Sequence, residues 1–284
     1  MLKKIATVLA SSYVRHPYRG YGRLNNMISR VVGEQVITRR VNDFDFSFDL
    51  FDPYWNLLLA KNFIYEPEVK EFLQRQLKQN PIFVDCGANY GYWTLFALSH
   101  LNDQDCISIE ASPKTFEHLQ RNVEINNRHP RLINRAISST HDELISFETS
   151  GRNHAGAAIS GMKEFKNVCA TNIRTTNLRT ILGAMAANRP VLIKLDVEGA
   201  EIEVIKGLGS LVDDAMITIV YEEIDKFCGV TEFLGSQADR KWHIFNISPD
   251  GVIIEIDHRA AREIASRTSG PSNFVATNYL KVSQ

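Results

Sequence analysis

The sequence predicts an α/β fold with a mostly parallel sheet and helices on both of its faces. Two observations carry this prediction. Short apolar segments alternate with amphipathic ones along the middle of the chain, beginning with 82–85 and 92–100, and this order is typical of βαβ units. The first two segments are joined by a turn that contains two glycines, which is where such folds bind nucleotides.

Five parallel strands are expected, followed by an antiparallel pair. The five strands lie at 82–85, 106–109, 131–136, 191–195 and 216–221. Beyond them, 242–247 and 252–256 flank the turn Pro249-Asp250-Gly251 and predict a hairpin. Residues 273–277 supply a last strand. These segments number eight, one more than the strands of the seven-stranded sheet with an antiparallel C-terminal hairpin that we expect for this fold class.

The N-terminal region differs in character from the rest of the chain. Residues 1–40 predict a helical extension or cap in front of a single domain at 41–284. This extension is basic, with arginines at Arg15, Arg19, Arg23, Arg30, Arg39 and Arg40. Strict alternation of apolar and polar residues at 44–50 predicts a half-buried strand.

A second irregular region lies inside the domain. Residues 150–172 carry three glycines in a polar run, at Gly151, Gly156 and Gly161. Such composition is typical of a surface loop, and functional loops are commonly of this kind. We therefore expect 150–172 to form a variable loop or lid.

Composition excludes several classes of protein. The 284 residues are 44% apolar and 23% charged, with a net charge of −1, so no nucleic-acid partner is expected. The four cysteines are widely spaced and predict neither disulfides nor a zinc site. The apolar run at 5–10 is too short for a secretory signal, and no window approaches a transmembrane helix. We expect a cytoplasmic protein whose first helix packs on the domain, with a membrane-surface anchor as the alternative.

The turn after the first strand reads Asp85-Cys-Gly87-Ala-Asn89-Tyr-Gly91. A dinucleotide-binding turn would need glycine at 89 and 92, which are asparagine and tyrosine. The remaining pattern, D-x-G-x-x-x-G, is similar to the first motif of class I S-adenosylmethionine-dependent methyltransferases. A tight turn without a ligand is the alternative. Asn89 can adopt the left-handed conformation that such a turn requires.

A carboxylate follows at the end of the second strand. Glu110 lies about twenty residues after the turn, where a ribose-binding acid is expected in nucleotide-binding sheets. The alternative is an acid that only complements a helix dipole. Tyr90, Tyr92 and Trp93 could stack on adenine or cap the donor pocket, although we expect Trp93 to be part of the core.

The densest group of charged residues is Lys194-Leu-Asp196-Val-Glu198-Gly-Ala-Glu201. Ligands bind beyond the carboxyl ends of parallel strands where the strand order reverses, so Asp196 should face the glycine turn. The alternatives are a less buried strand position for Lys194 and helix-dipole roles for Glu198 and Glu201.

Together, these two motifs resemble those of the FkbM family of methyltransferases, whose hallmarks are D-x-G-A-N-x-G and K-x-D-x-E-G-A-E. The similarity extends from about Phe44 to Glu223. One departure is Thr176-Asn177-Leu178, where the family usually has Leu-Asp. The resemblance implies a Rossmann-like class I methyltransferase fold, S-adenosylmethionine as donor, and acceptors that are mostly hydroxyls of sugars or natural products.

Candidate donor-binding residues follow from the turn, the acid and the second motif. They are Asp85, Gly87, Ala88, Asn89, Tyr90, Gly91, Glu110, Ala111, Ser112, Ala136 and Asp196. A hydroxyl acceptor also needs a base to take its proton. Asp196 is the first candidate for that base, Glu198 and Glu222 are weaker ones, and His154 would act from the 150–172 loop.

Other readings of the same residues remain open. Asp196 with Glu198 or Glu222 could hold a divalent cation, although we expect no metal. The arginines of the N-terminal extension would suit an RNA-modifying methyltransferase, and a non-catalytic scaffold could retain the fold. The sequence also leaves the acceptor and the presence of a homodimer open.

Overall fold

A computed structural model describes residues 1–149, 157–159, 169–187, 189–223, 229–237, 242–267 and 272–279. The described helices are α1 (Leu2–Arg15), α2 (Tyr21–Val32), α3 (Pro67–Gln76), α4 (Tyr92–Leu98), α5 (Pro113–Ile125), α6 (Leu178–Leu182), α7 (Glu201–Lys206), α8 (Leu211–Asp214), α9 (Gly229–Ser236) and α10 (His258–Arg267). The described strands are β1 (Val36–Val41), β2 (Phe44–Asp49), β3 (Ile82–Cys86), β4 (Cys106–Ile109), β5 (Arg131–Ile133), β6 (Ala136–Ile137), β7 (Leu144–Thr149), β8 (Ala157–Ile159), β9 (Cys169–Thr176), β10 (Val191–Leu195), β11 (Ile217–Glu223), β12 (His243–Ile247), β13 (Ile253–Glu255) and β14 (Ser272–Thr277).

The main sheet has the order β13-β12-β14-β11-β10-β3-β4-β5. The five strands β5, β4, β3, β10 and β11 are parallel, and β14 runs antiparallel between β11 and β12. The chain leaves β3 towards β4 and later returns to its other side with β10, so the strand order reverses between β3 and β10. This confirms the predicted Rossmann-like α/β fold and places a ligand site at that reversal.

The described part of the sheet has eight strands rather than the predicted seven. Residues 253–255 pair with β12 and extend the sheet by one strand at its edge. The predicted hairpin is therefore β12–β13, and β14 inserts on the inner side of β12. Each of the eight segments predicted from the sequence overlaps with one of these strands, so only the total of seven was wrong; 253–255 pairs with β12 after a tight turn at Gly251.

Apolar cores cover both faces of the main sheet because side chains alternate along each strand. Ile82 and Val84 point into one core, which contains α6, α7 and α9, whereas Phe83 points into the other. The second core is covered by α3, α4 and the N-terminal region. Lys194 on β10 is 1% exposed, so the sequence-based alternative of a less buried position for it is wrong.

The N-terminal region is helical only in part. Helices α1 and α2 fit the expectation for 1–40, but residues 36–40 belong to β1, which pairs with β2 as a separate antiparallel hairpin. Exposed and half-buried side chains alternate along β1, which is the period of a strand and explains why this part of the extension is not helical. Helix α1 packs against a 3-10 helix at Trp55–Leu59. The predicted strand at 44–50 corresponds to β2.

Residues 136–176 build a smaller sheet of order β6-β9-β7-β8. The prediction of a loop over 150–172 was therefore wrong at 157–159 and 169–172, which belong to strands β8 and β9. These short strands were not recognised in the sequence. Residues 150–156 and 160–168 lie outside the described residues. Within the described parts of the chain, no helix is both long enough and apolar enough to cross a membrane.

Candidate active site

The turn between β3 and α4 forms the centre of the site. Gly87, Asn89 and Gly91 all have positive φ, at 80°, 51° and 86°. A Cβ on Gly87 would overlap the main-chain carbonyl of Asp196, and one on Gly91 would lie 2.5 Å from Leu119 Cδ1. The glycines are thus required by backbone conformation and by close packing within the protein. Asn89 adopts the left-handed conformation expected from the sequence.

Asp85 lies beneath this turn and is 2% exposed. Its Oδ2 accepts a hydrogen bond of 2.6 Å from Thr94 Oγ1, which also lies 2.8 Å from Ser108 Oγ. Burial raises the pKa of Asp85 to about 6, against the lowering effect of the Thr94 hydrogen bond. The structure therefore places Asp85 as a support that ties the turn to α4 and β4.

Glu110 follows β4 and faces the turn from the neighbouring strand. Its two carboxylate oxygens accept hydrogen bonds from the backbone N–H groups of Asn89, at 2.9 Å, and Ser112, at 2.8 Å. Burial raises its pKa to about 7, and these two N–H groups act in the opposite direction. A carboxylate has about four acceptor positions, so two remain for the hydroxyls of a ligand.

The other predicted donor contacts divide into two groups. Ala111 is partly exposed beside Glu110, like Gly87 and Asn89. The remaining small or aromatic candidates are buried, namely Ala88, Tyr90, Ser112 and Ala136. Tyr90 is fully buried because its ring stacks on His118 at 4.1 Å between centroids. Ser112 Oγ caps α5 by accepting from Thr115 N. These four residues thus have packing or capping positions and are about as buried as Glu110, which is 7% exposed, so their roles in donor binding stay predictions.

Asp196 stands where β10 ends, opposite the glycine turn, as expected from the strand order. Its side chain is 31% exposed. Lys194 Nζ lies 3.6 Å from Asp196 Oδ2 and 3.8 Å from Glu66 Oε2. Burial alone would lower the pKa of Lys194, but Glu66 and Asp196 outweigh that effect and raise it. A buried, charged lysine thus connects two carboxylates at the edge of the site.

Glu222 lies at the end of β11, beside Asp196. It is partly exposed, and its pKa is raised to about 8, first by burial and then by the charge of Asp196. Glu198 also raises the pKa of Glu222, and it adopts a left-handed φ of 56°. Glu201 Oε1 instead accepts hydrogen bonds from Val197 N and Gly199 N. Glu201 therefore stabilises the loop before α7.

His154 and Trp93 are two further residues that the sequence singles out. His154 lies outside the described residues. Trp93 is buried in the core, as expected. Among the described residues, no group of three or more histidine, cysteine, aspartate or glutamate side chains is arranged to hold a metal ion.

Three residues to which the sequence assigned no role in the site converge on the same cluster. They are Tyr54, Tyr65 and Glu66, which precede α3. The Tyr54 and Tyr65 hydroxyl oxygens are 2.5 Å apart, and Glu66 has a left-handed φ of 38°. In the sequence, Tyr65-Glu66-Pro67 was recognised as part of the family resemblance ahead of the first motif, and Glu66-Pro67 as a helix start, but neither was connected with the site. The strained conformation of Glu66, which is uncommon for a non-glycine residue, leaves no signal in the sequence.

Comparison with protein families decides the identity of the domain. The profile described as "Methyltransferase FkbM domain" matches residues 85–261, which is more than half of the chain. The chain belongs to the FkbM methyltransferase family. The match begins later and ends later than the similarity expected from the sequence, so it excludes the segment that contains Tyr54 and Glu66.

Two curated proteins are similar to the chain. "Methyltransferase 1" of Beauveria bassiana is 26% identical over 164 residues, which cover 50% of this chain and 64% of that protein. "Hexuronic acid methyltransferase AglP" of Haloferax volcanii is 25% identical over 158 residues, covering 55% and 61%. The chain thus spans somewhat less than two thirds of the length of these relatives. Among solved structures, M. jannaschii TYW2 in complex with AdoMet aligns with a TM-score of 0.42 at 11% identity, covering 86% of this chain and 85% of that one.

S-adenosylmethionine is the cofactor of this family, and the residues present fit it. Glu110 has two acceptor positions left, which suit the two hydroxyls of a ribose. Asp196 and Glu222 place carboxylates at the neighbouring strand ends, and carboxylates suit a cationic sulfonium. Gly87 and Asn89 are partly exposed between these two groups of acids.

Proposed function

We propose that this FkbM-family protein is a methyltransferase that acts on a hydroxyl group of a glycan or a small natural product. The observation that carries the proposal is the position of Asp196. Its main-chain carbonyl lies against Gly87, and its partly exposed carboxylate lies beside Glu222, on the strand end that flanks the proposed donor site. The relative from Haloferax volcanii, named for a sugar acid, supports a sugar as the acceptor class.

For this reaction the protein must align the donor with the acceptor and remove the proton of the acceptor hydroxyl. When bound, S-adenosylmethionine supplies an activated methyl group, so that a carbon–oxygen bond forms while a carbon–sulfur bond breaks. The residues around the turn orient the donor, and the acceptor oxygen must be held in line with it. The hydroxyl proton must pass to a base as the new bond forms.

Asp196 is the proposed base, and Glu222 is the proposed partner. A pKa of about 8 means that Glu222 holds its own proton near neutral pH, so it can donate a hydrogen bond but cannot accept the acceptor's proton. The Asp196 side chain is partly exposed, and its Oδ2 lies 3.6 Å from the buried Lys194 Nζ. The positive charge of Lys194 remains in place while Asp196 takes up the proton.

Methyl transfer from deuterated S-adenosylmethionine to a panel of neutral glycans, acidic glycans, phenols and total tRNA tests this proposal. Calorimetry with S-adenosylhomocysteine gives the donor affinity in parallel. We expect Asp196→Asn to lose at least 100-fold in rate while it binds S-adenosylhomocysteine like the wild type. Asp43→Asn, in the exposed turn between β1 and β2, is the matched control and should retain both properties.

The same experiment separates the alternatives. Absence of S-adenosylhomocysteine binding would support a non-catalytic scaffold. Methylation of tRNA, with a strong dependence on salt, would support an RNA-modifying enzyme. Unchanged methyl transfer by Asp196→Asn would remove Asp196 as the base.

A further inference from the structure

Three side chains from outside the matched family region reach the Asp196 end of the site. Tyr54 and Tyr65 bring their hydroxyl oxygens within 2.5 Å of each other. Glu66, next in the chain, places Oε2 3.8 Å from Lys194 Nζ, which in turn lies 3.6 Å from Asp196 Oδ2. The segment before α3 and the end of β10 therefore share one group of polar side chains.

The Tyr54 hydroxyl lies against that of Tyr65, the residue before Glu66, and its electrostatic surroundings agree with a position near this group. Burial raises the pKa of Tyr54 well above its ordinary value, and the charges of Glu66, Asp196 and Glu222 raise it further. Burial and Glu66 likewise raise the pKa of Tyr65. Both phenols stay protonated. One hydroxyl donates to the other, so one O–H group of the pair is left to donate to another acceptor.

The accessible and the inaccessible members of the group differ in chemistry. Tyr54, Tyr65, Glu66, Asp196 and Glu222 are all partly exposed. Lys194, by contrast, is 1% exposed. A ligand that approaches these described side chains from solvent meets phenols and carboxyl groups before it meets the ammonium group.

Several polar atoms beneath this surface have no hydrogen-bond partner within the described residues. They are Glu66 Oε2, Lys194 Nζ and Trp93 Nε1. Buried polar groups are seldom left without hydrogen bonds, because their desolvation then goes uncompensated. Lys194 Nζ is directed between Glu66 and Asp196 at ion-pair distances, so among the described residues it retains N–H donors that an additional oxygen, such as a ligand hydroxyl, would satisfy.

We propose that Tyr54, Tyr65 and Glu66 form the acceptor-binding wall of the site and select an uncharged, hydroxyl-rich acceptor over one that carries a carboxylate. This inference rests on the proposed function and specifies its acceptor. Neutral hydroxyls can accept from a phenol or from protonated Glu222 and donate to Glu66. An anionic acceptor would instead meet the carboxylates of Glu66 and Asp196 before the buried ammonium group of Lys194. Glu66 is then a specificity-determining residue contributed by a segment that the family profile does not cover.

This preference differs from what the name of the Haloferax volcanii relative states about that protein's own acceptor. A purely structural role is the competing explanation, in which the Glu66–Lys194 ion pair only holds the segment before α3 against the sheet. The two explanations differ in what a conservative substitution changes. A structural role would affect stability, and a specificity role would affect acceptor binding at constant donor affinity.

The test uses the whole protein, loaded with S-adenosylhomocysteine, on immobilised oligosaccharides in matched pairs. The members of each pair differ only at C6, with glucose against glucuronic acid and galactose against galacturonic acid. We expect the neutral member to bind at least tenfold more tightly. Glu66→Gln and Tyr65→Phe should each weaken that binding at least fivefold and leave the affinity for S-adenosylhomocysteine unchanged.

Two matched controls accompany these variants. The control for Glu66→Gln is Glu68→Gln, two residues further along the chain on α3, where Glu68 Oε1 accepts a hydrogen bond from Asn273. The control for Tyr65→Phe is Tyr13→Phe, in the aromatic cluster of α1 and α2. Both should bind like the wild type. Equal binding of the two members, preference for the acidic member, or binding of neither would overturn the inference. Because donor binding is measured separately, its loss would instead contradict the proposed function.

Discussion

The backbone of Gly87 lies directly against the backbone of Asp196. A Cβ on Gly87 would overlap the Asp196 carbonyl oxygen and lie 2.8 Å from the carbonyl carbon. In addition, Asp196 N donates a 3.0 Å hydrogen bond to Cys86 O. No side chain separates the two strand ends, so the turn proposed to bind the donor and the carboxylate proposed as base have a fixed separation.

Gly87→Ala should therefore disrupt both folding stability and donor binding. A left-handed φ and a main-chain overlap act together, and we expect a loss of roughly 2–4 kcal/mol in the free energy of unfolding. Urea denaturation measures this loss, and calorimetry with S-adenosylhomocysteine measures the donor affinity. Gly20→Ala is the control, because Gly20 also has positive φ but nothing lies within 4 Å of its Cβ position. Equal losses in the two variants would argue against the packing explanation.

Glu110→Gln should weaken donor binding. The substitution removes the charge that would accept the ribose hydroxyls, and hydrogen bonds to charged groups contribute about 1.5–3 kcal/mol. We expect S-adenosylhomocysteine affinity to fall by about 10- to 100-fold in calorimetry. Glu124→Gln, on the exposed side of α5, should bind normally. Wild-type affinity in Glu110→Gln would remove the ribose role.

Donor affinity should also depend on pH through Glu110. Its pKa in the free protein is about 7 because of burial, and ribose hydroxyls donate best to the ionised carboxylate. Affinity for S-adenosylhomocysteine should therefore rise between pH 6 and pH 8, with a slope approaching tenfold per pH unit below 7. Glu110→Gln should flatten the profile. A flat wild-type profile would mean that the donor does not engage this carboxylate.

Stability should fall as pH rises, and Glu222 should account for part of that fall. Burial and Asp196 raise the pKa of Glu222 from 4.5 to about 8. Between these values the folded protein holds a proton that the unfolded chain has released, so unfolding becomes easier with increasing pH. Thermal denaturation from pH 5 to pH 9 measures the slope, which Glu222→Gln should reduce. Identical slopes in the two proteins would contradict the shifted pKa.

Local patterns were sufficient to predict the sheet and the position of the proposed donor turn. Asp85, Gly87 and Glu110 could be placed because strand ends in a parallel sheet converge at a known edge. Asn177, at the one departure from the family pattern, also keeps a local function. Its side chain caps α6 by accepting from Thr180 N, as an aspartate would.

The acceptor side could not be predicted, since it depends on contacts between distant parts of the chain. Lys194 was recognised as part of the second family motif, but its ion-pair partner Glu66 lies more than a hundred residues earlier and could not be assigned from the sequence. Tyr90 was expected at the donor surface because of its neighbours in the turn. The choice between solvent and core was instead decided by the ring of His118 on α5.

The insertion of β14 between β11 and β12 has a consequence for biosynthesis. Strand β11 carries Glu222, whose register partner on β14 is Asn273. During synthesis, β11 keeps an open edge of unpaired backbone groups until residues 272–277 have left the ribosome, and such edges recruit other chains. The half of the sheet that holds Glu222 therefore closes last, after the rest of the sheet has been synthesised.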